Sequence, residues 1–418
     1  MGNFVWIVDD QFMSKTVWII NQYASTPATA LGGRHYYMAR EMAKKGYAVY
    51  IIGSASHHLL REKPAFNSAF KLEEVEGFRF VWVKMPSYGN AHSKKRVLNW
   101  VLFPWRIRKL LQVIPDRPDT ILCSSPSPLA FLGAQWLARK LNARLVFEVR
   151  DIWPLTLTEL GGHSPNNPLI RLMQWVEDKA YRDSSAVVSN LKNSVEHMAS
   201  RGMAPEKFTW VPNGFSMDEV NLNSPLNAKA ESQLPEGKFL VGYTGTLGVA
   251  NALDTLICAA EQLKGHSGIA FVLVGDGKEK PALKKLVASK ALANVYFVDP
   301  IPKVEIQAML ARFDGCYIGW LDDPIYRFGI GANKIPEYLF SGKPVIHSYS
   351  GACDPVEEVG GGFRVGAEDE KQLADAVLKL YRMSPEERAA MGANGRRAAL
   401  EQYEYGQLAD KLSKVLFE

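Results

Sequence analysis

Two successive sets of short, β-branched runs alternate with longer amphipathic stretches along this chain, and that alternation constrains the fold more than any other feature. The first set is VWIINQY (17–23), YAVYIIG (47–53), FRFVWVK (78–84), DTILCS (119–124), ARLVFEV (143–149) and SAVVSN (185–190). Helical patterns such as RHYYMAREMAKKG (34–46) and SPLAFLGAQWLARKL (127–141) lie between them. Such alternation predicts a parallel sheet with helices on both faces, and the near-continuous apolarity of the runs fits strands buried on both sides.

The pattern restarts after FTWVPNG (208–214). A stretch rich in Asn, Ser, Pro and Glu (216–237) reads as a connection between domains. The second set is KFLVGYTG (238–245), IAFVLVGDG (269–277), NVYFVD (294–299), GCYIGW (315–320) and KPVIHS (343–348). Helices are expected over 252–264, 279–291, 303–312, 333–342 and 370–382, with a final helical pattern over 385–417. The fold class is therefore α/β, with two Rossmann-like, doubly wound parallel-sheet domains facing a central cleft. A chain of 418 residues exceeds what one hydrophobic core usually serves, which points the same way. The boundaries expected are 1–215, a linker over 216–237, and 238–399. A terminal helix, about 400–418, can return to pack on the first domain. FVWIV (4–8) is strand-like but has no assigned partner.

Composition removes several function classes. The four cysteines (Cys123, Cys258, Cys316, Cys353) are widely spaced, which argues against a zinc site or a disulfide framework. The net charge of +5 permits anionic ligands without demanding nucleic acid. With no basic-then-apolar leader and no apolar run long enough to span a bilayer, the expectation is a cytoplasmic protein or one peripheral on a membrane.

Open α/β sheets bind ligands beyond the carboxyl ends of their strands, so the loops there carry the argument. Gly32 and Gly33 precede the first long helix, where free amides favour an anion; a plain turn explains them equally well. YTGTLG (243–248) and VGDG (274–277) each follow a buried strand. Together they suit a diphosphate and a nucleoside, although neither is a complete dinucleotide or P-loop motif. DDPIYRFGIGANKIPEYLFSGKPVI (322–346) places Lys334 in the first turn of a helix and Glu337 three residues later. A cation there opposes the helix dipole, a cost that makes sense if the lysine shares an anion. A solvated lysine, or a helix-surface pair with Glu337, is the competing reading. An ionised Glu offers only acceptors, which suit the paired hydroxyls of a ribose. EVRDIWP (148–154) puts Glu148, Arg150 and Asp151 at a strand's carboxyl end. No metalloprotease-like histidine pair and no G-x-S-x-G elbow is present.

Read in order, these loops resemble family 4 of the retaining glycosyltransferases, which have the GT-B fold. The markers are Gly32–Gly33, VPNG (211–214), TGTLG (244–248), VGDG (274–277) and NKIPEYLFSGKPVI (333–346). DIWP (151–154) and the ANK–E arrangement resemble a subgroup that builds bacterial O-antigen and capsule polysaccharides, including transferases of N-acetylated deoxysugars. The resemblance implies that Glu337 holds the ribose, and that the Gly32–Gly33 and TGTLG loops face the diphosphate. It thereby places Asn213, Gly214, Thr244, Gly245, Thr246, Gly275, Gly277, Asn333, Lys334 and Glu337 at the donor. The family's second glutamate, eight positions earlier, is missing: Gly329 or Tyr326 stands there. The usual cations after TGTLG are missing too, since the loop continues GVANALD. Arg327 and Lys334 are the candidates to supply that charge, with Asp151 the candidate to orient acceptor or sugar.

The co-substrate expected is a nucleotide sugar, UDP-linked, with no cofactor and no metal required. The partner expected is a glycan or a polyprenyl-diphosphate-linked sugar. A GT-B sugar-nucleotide epimerase would share the donor loops but leave no room for an acceptor. A non-catalytic two-lobed binding protein would ordinarily carry an export signal. HSKKRVLNWVLFPWRIRKLLQVI (92–114) mixes six basic residues with Trp100, Phe103 and Trp105, as helices lying on anionic membranes do. A core-packing helix with solvated charges gives much the same pattern, and Pro104 should kink or split either.

Overall fold

The computed structural model describes residues 14–30, 32–88, 93–222 and 224–418; the FVWIV run at 4–8 lies outside the described residues. Fourteen strands occur in it: β1 (Thr16–Ile20), β2 (Ala48–Ser54), β3 (Phe70–Val75), β4 (Phe78–Val83), β5 (Thr120–Ser124), β6 (Arg144–Val149), β7 (Ala186–Ser189), β8 (Phe208–Trp210), β9 (Phe239–Thr244), β10 (Ile269–Val274), β11 (Val295–Val298), β12 (Gly315–Gly319), β13 (Val345–Ser348) and β14 (Gly362–Val365). They form two sheets, ordered β3-β4-β2-β1-β5-β6-β7-β8 and β11-β10-β9-β12-β13-β14. Every pairing is parallel except β3 with β4, an antiparallel hairpin at one edge. The strand runs did not reveal β3, β8 or β14. FKLEEV alternates around charges at a half-exposed edge, and GFRV is four residues long.

Burial follows the period-2 geometry of strands. On β1, Trp18 and Ile20 enter one core with Phe103, Phe131 and Phe147. Val17 and Ile19 enter the opposite core with Met38, Leu408 and Leu412. The second sheet repeats this arrangement, sending Val241 and Tyr243 to one side and Leu240 to the other.

The connection over 216–237 is not featureless, because helices Met217–Leu222 and Ala228–Ser232 lie within it. Their five or six residues are too few for an amphipathic period to show among polar neighbours. The expected helix over 303–312 begins as a 3-10 turn, Lys303–Glu305, before Ile306–Ala311. The closing pattern over 385–417 is two helices, Pro385–Gln402 and Tyr405–Phe417. Between them Glu404 caps the second, accepting from the Gly406 and Gln407 amides at 2.7 and 3.0 Å. Tyr405–Phe417 buries Leu408, Leu412 and Leu416 against the first sheet, each worth roughly 1.5–3 kcal/mol. The chain thus passes between the lobes twice, and the two passages bond: Phe215 N donates to Tyr403 O (3.0 Å) and Tyr405 N to Phe215 O (3.1 Å).

The 92–114 segment is helical over Lys94–Ile107 and tightens into a 3-10 turn at Arg108–Gln112. Pro104 sits inside the helix without splitting it. Among the described residues no helix is long and apolar enough to cross a membrane.

Candidate functional site

The two glycine loops of the second lobe lie on one another. Gly245 N donates to Val274 O at 2.9 Å, and Leu247 N to Asp276 O at 2.8 Å. A Cβ on Gly275 would sit 2.0 Å from Gly245 O, and one on Gly277 2.1 Å from Leu247 O. Gly275 also has φ of 139°. These two glycines are therefore required for loop-on-loop contact, which a strand-then-glycine pattern cannot distinguish from contact with a ligand. Thr246 is exposed at the loop's tip. Lys280, which the motifs did not suggest, reaches the same junction and donates to Gly275 O at 2.9 Å.

Helix Lys334–Phe340 clamps the first loop from below. The Tyr338 hydroxyl accepts from Thr244 N (2.7 Å) and lies 3.1 Å from Thr244 O. One turn earlier, Lys334 lies across the loop. Its Cε is 2.4 Å from where a Gly245 Cβ would stand, so any side chain at Gly245 would displace it. The Lys334 amine has one long bond, to Asn251 Oδ1 at 3.3 Å, and sits 4.9 Å from the centre of the Tyr243 ring. Burial lowers its pKa to about 8, with Glu337 acting in the opposite direction. It is not the solvated surface lysine that the sequence left open. Asn333 precedes it without a capping bond. Glu337 is mostly buried and pairs with Lys303, while its backbone carbonyl accepts from Gln307 Nε2 at 3.2 Å.

In the first lobe, Glu148 is a core residue and does not face solvent. It accepts from Arg34 Nε (2.8 Å), His35 Nε2 (2.6 Å) and Ser124 Oγ (2.6 Å). Burial alone would raise its pKa, but Arg34 and His35 hold it well below the carboxylate range. Burial lowers that of His35, against the opposing pull of Glu148. This cluster pins the first turn of helix Arg34–Lys44 to the sheet. Arg34 also bonds Pro212 O, where the chain leaves the lobe. Gly32 (φ 69°) packs on Tyr36, whereas a Cβ on Gly33 would meet nothing within 4 Å, so this glycine opens onto free space.

Between the lobes lies a cavity of about 300 Å³. Arg150, Asp151, Ile152, Leu160 and Leu191 line it from the first lobe, and Trp320, Tyr326, Phe328 and residues 329–333 from the second. Asp151 is open to it; surrounding protein raises its carboxyl pKa and Arg150 opposes the rise. The 325–331 loop locks the lobes together. Phe328 O accepts from Asn193 N (2.9 Å) and Gly331 O from Asn213 Nδ2 (2.6 Å).

Three further expected site residues also serve other contacts here. Asn213 bridges the lobes. A Cβ on Gly214 would stand 2.3 Å from Tyr403 O, at the return crossing. Arg327, expected to add charge beside Lys334, makes a bidentate pair with Glu159 across the cleft at 3.0 and 2.8 Å. The partner stands 168 residues away in sequence, so no local pattern could have named it. Asp323 caps the turn at Pro324, accepting from Ile325 N at 2.9 Å. Among the described residues no cluster of three or more His, Cys, Asp or Glu is placed to hold a metal.

Comparisons with known proteins follow the same division into lobes. Residues 32–214 match the family described as "Glycosyl transferase 4-like domain", and residues 238–383 match "Glycosyl transferases group 1". The chain is 22% identical over 304 residues to a putative colanic acid biosynthesis glycosyl transferase, WcaI, of Escherichia coli, covering 70% of this chain and 74% of that protein. It is 25% identical over 275 residues to a D-inositol 3-phosphate glycosyltransferase of Stackebrandtia nassauensis, covering 62% of this chain and 60% of that one. The fold resembles sucrose-phosphate synthase of Thermosynechococcus elongatus, with a TM-score of 0.70, 17% identity, and 96% of this chain and 98% of that chain covered. It also resembles Anabaena HepE in complex with UDP and glucose, with a TM-score of 0.64, 17% identity, and coverage of 96% and 99%.

Proposed function

The chain belongs to the family 4 glycosyltransferases of the GT-B fold, and from that premise we propose that it transfers a sugar from a UDP-linked donor to a hydroxyl of a glycan or polyprenyl-linked acceptor in bacterial surface polysaccharide synthesis, with retention of anomeric configuration. The placement of Lys334 carries the reading. Its amine is buried across the TGTLG loop with one weak polar partner, and the interlobe cavity begins at its neighbour Asn333. Among the described residues this cation makes no ion pair, and Glu337, which favours its charge, is engaged with Lys303; a buried cation so placed is costly unless an anion arrives. When the bond from sugar to diphosphate breaks, negative charge grows on the leaving oxygen. A fixed cation in a low-dielectric site stabilises that charge more than water does. Lys280, beside the second loop, adds to the same field. Glu337 receives the ribose hydroxyls, sharing its carboxylate with Lys303.

The sugar enters the cavity. Ile152, Leu160, Leu191, Ile325 and Phe328 give its wall an apolar part beside the polar Arg150, Asp151, Asn190 and Asn213, and no carboxylate stands at Tyr326 or Gly329. That mixed lining suits an N-acetylated deoxysugar, which has an apolar methyl group and an amide. Asp151, on the opposite wall, orients the acceptor hydroxyl. Radiolabelled UDP-sugars with a polyprenyl-diphosphate-linked acceptor test the proposal: label should move into the lipid fraction. Consumption of donor with no labelled lipid or glycan product would refute it.

Helix Lys94–Ile107 supports peripheral attachment to the inner face of an anionic membrane. Phe103 is fully buried while Trp105 is 64% exposed, so the helix has distinct inner and outer faces. Leu98, Val101 and Trp105 form an exposed stripe at helical spacing, flanked by exposed Lys95 and Lys109. Trp100 faces inward, and Arg96 lies against Tyr23, Trp100 and Trp153. The outer face is thus narrower than the 92–114 pattern suggested, and the side chain of Lys94 lies outside the described residues.

A further inference from the structure

Trp320 follows β12 directly and presents its ring to the interlobe cavity. Its indole N–H does not point to solvent. It donates to His347 Nε2 at 2.9 Å, and His347 Nδ1 lies 2.7 Å from Asp354 Oδ2. An indole nitrogen can only donate, so His347 Nε2 must be the unprotonated acceptor and Nδ1 must carry the hydrogen given to Asp354. Both His347 and Asp354 side chains are completely buried. Asp354 is fixed in turn by the Val356 and Glu357 amides, each 2.8 Å from Oδ1. Burial would raise the Asp354 pKa, but His347 and these amides hold it lower.

The His347 ring stacks on Tyr349, with centroids 4.9 Å apart and planes 9° from parallel. The Tyr349 hydroxyl donates to Tyr326 O at 2.7 Å. Tyr326 meets Trp320 at 5.6 Å and lines the same cavity. The backbone makes room for this arrangement at Gly351, where a Cβ would stand 1.9 Å from the Tyr349 hydroxyl. One buried stack thus holds both aromatic residues on the second lobe's side of the cavity. Apolar packing would fill this space without the desolvation of a His–Asp pair. What the pair adds is direction, because a hydrogen bond fixes the indole plane where packing alone would not.

We propose that Trp320 is the platform on which the transferred sugar ring lies, and that His347, set by Asp354 and stacked on Tyr349, is the positioning residue that aims it. The proposal rests on the reading of this cavity as the donor-sugar site. The flat ring meets the C–H face of a pyranose, a contact that compensates for the glutamate missing at Tyr326 and favours sugars with fewer hydroxyls.

Fluorotryptophan labelling and fluorine NMR test this. The protein has ten tryptophans, so the Trp320 signal is identified by its loss in Trp320→Phe. UDP-glucose, UDP-galactose and UDP-N-acetylglucosamine are compared by calorimetry, and the tightest binder is used. That UDP-sugar should move the Trp320 signal, whereas UDP alone should leave it in place. In His347→Leu the signal should shift or broaden in the free protein and lose its response to the sugar, with UDP affinity held within about twofold. Because His347→Leu removes a buried polar group, Trp320→Phe gives a second measurement: it keeps a ring but loses the N–H, and should raise donor KM about fivefold with a smaller effect on kcat. A Trp320 signal unmoved by a bound UDP-sugar overturns the platform, and an unchanged KM in Trp320→Phe overturns its aiming through the N–H. A wild-type response retained in His347→Leu overturns the positioning role. Failure of the wild type to bind UDP at all overturns the donor reading beneath both.

Discussion

Replacing Lys334 by Met should make the free protein more stable and the enzyme far slower. Met nearly matches the volume of the lysine stem and removes only the charge. The fall in the Lys334 pKa from 10.5 to about 8 corresponds to ~3 kcal/mol spent on keeping the amine charged in the folded state. The Tyr243 ring beneath the amine returns ~1 kcal/mol. Lys334→Met should therefore gain roughly 2 kcal/mol, or ~4 °C in Tm, at pH 7. The dependence on pH has a definite sign. Below pH 8 the folded and unfolded chains both hold the proton, and the wild type bears the whole penalty. Between about 8 and 10.5 only the unfolded chain holds it, so wild-type stability climbs with pH and the gap should close near pH 10. Differential scanning calorimetry of both proteins from pH 6.5 to 10 reads this directly. UDP at a hundred times its Kd should add ~2.7 kcal/mol to the wild type and less to the variant at the same concentration. Turnover should fall about a hundredfold or more, as when one transition-state donor is lost. A variant that melts at or below the wild-type temperature at pH 7 would refute the argument that this amine is a buried charge awaiting an anion.

Glu337→Ala should weaken UDP binding by about tenfold to a hundredfold, the worth of a charged hydrogen-bond acceptor, while Tm changes little; calorimetric titration with UDP checks both sides of that statement. Gly275→Ala places a methyl group 2.0 Å from Gly245 O at φ 139°. It should cost about 2 kcal/mol or more and abolish UDP binding, whereas Gly33→Ala, whose Cβ meets nothing, should carry only the backbone strain of φ 89° without a clash and lose less; denaturant melts of the two compare them. Trp105→Ala combined with Lys109→Glu should release the protein from anionic liposomes in co-sedimentation without loss of turnover on a soluble acceptor. Equal sedimentation of this variant and the wild type would remove that helix from the membrane.

What the sequence settled by itself was whatever local periodicity encodes. Two sheets of parallel strands, helices on both faces and the loops at the carboxyl ends were legible. A strand buried on both faces must be continuously apolar, and a helix covering it must repeat near 3.6 residues. Three of the four edge strands escaped: β3 carries charges, and β8 and β14 are only three and four residues long, so none has the signature of a buried strand. The site was legible as loops but not as contacts. Lys334 in a first turn reads the same whether it is solvated or laid across Gly245, because its burial is supplied by Tyr243 and Asn251, more than eighty residues earlier in sequence. Arg327 looked free until Glu159 from the other lobe met it. Gly214, Gly275 and Gly277 looked like openings for a ligand, yet each accommodates backbone from another part of the chain. Asp354, His347 and Trp320 carry no motif at all, and only the pairing of β12 with β13 and the turn after β13 align them. Spacing determines which face a residue takes. The partner that sets its charge, tautomer or strain comes from elsewhere in the chain, and only tertiary packing chooses it.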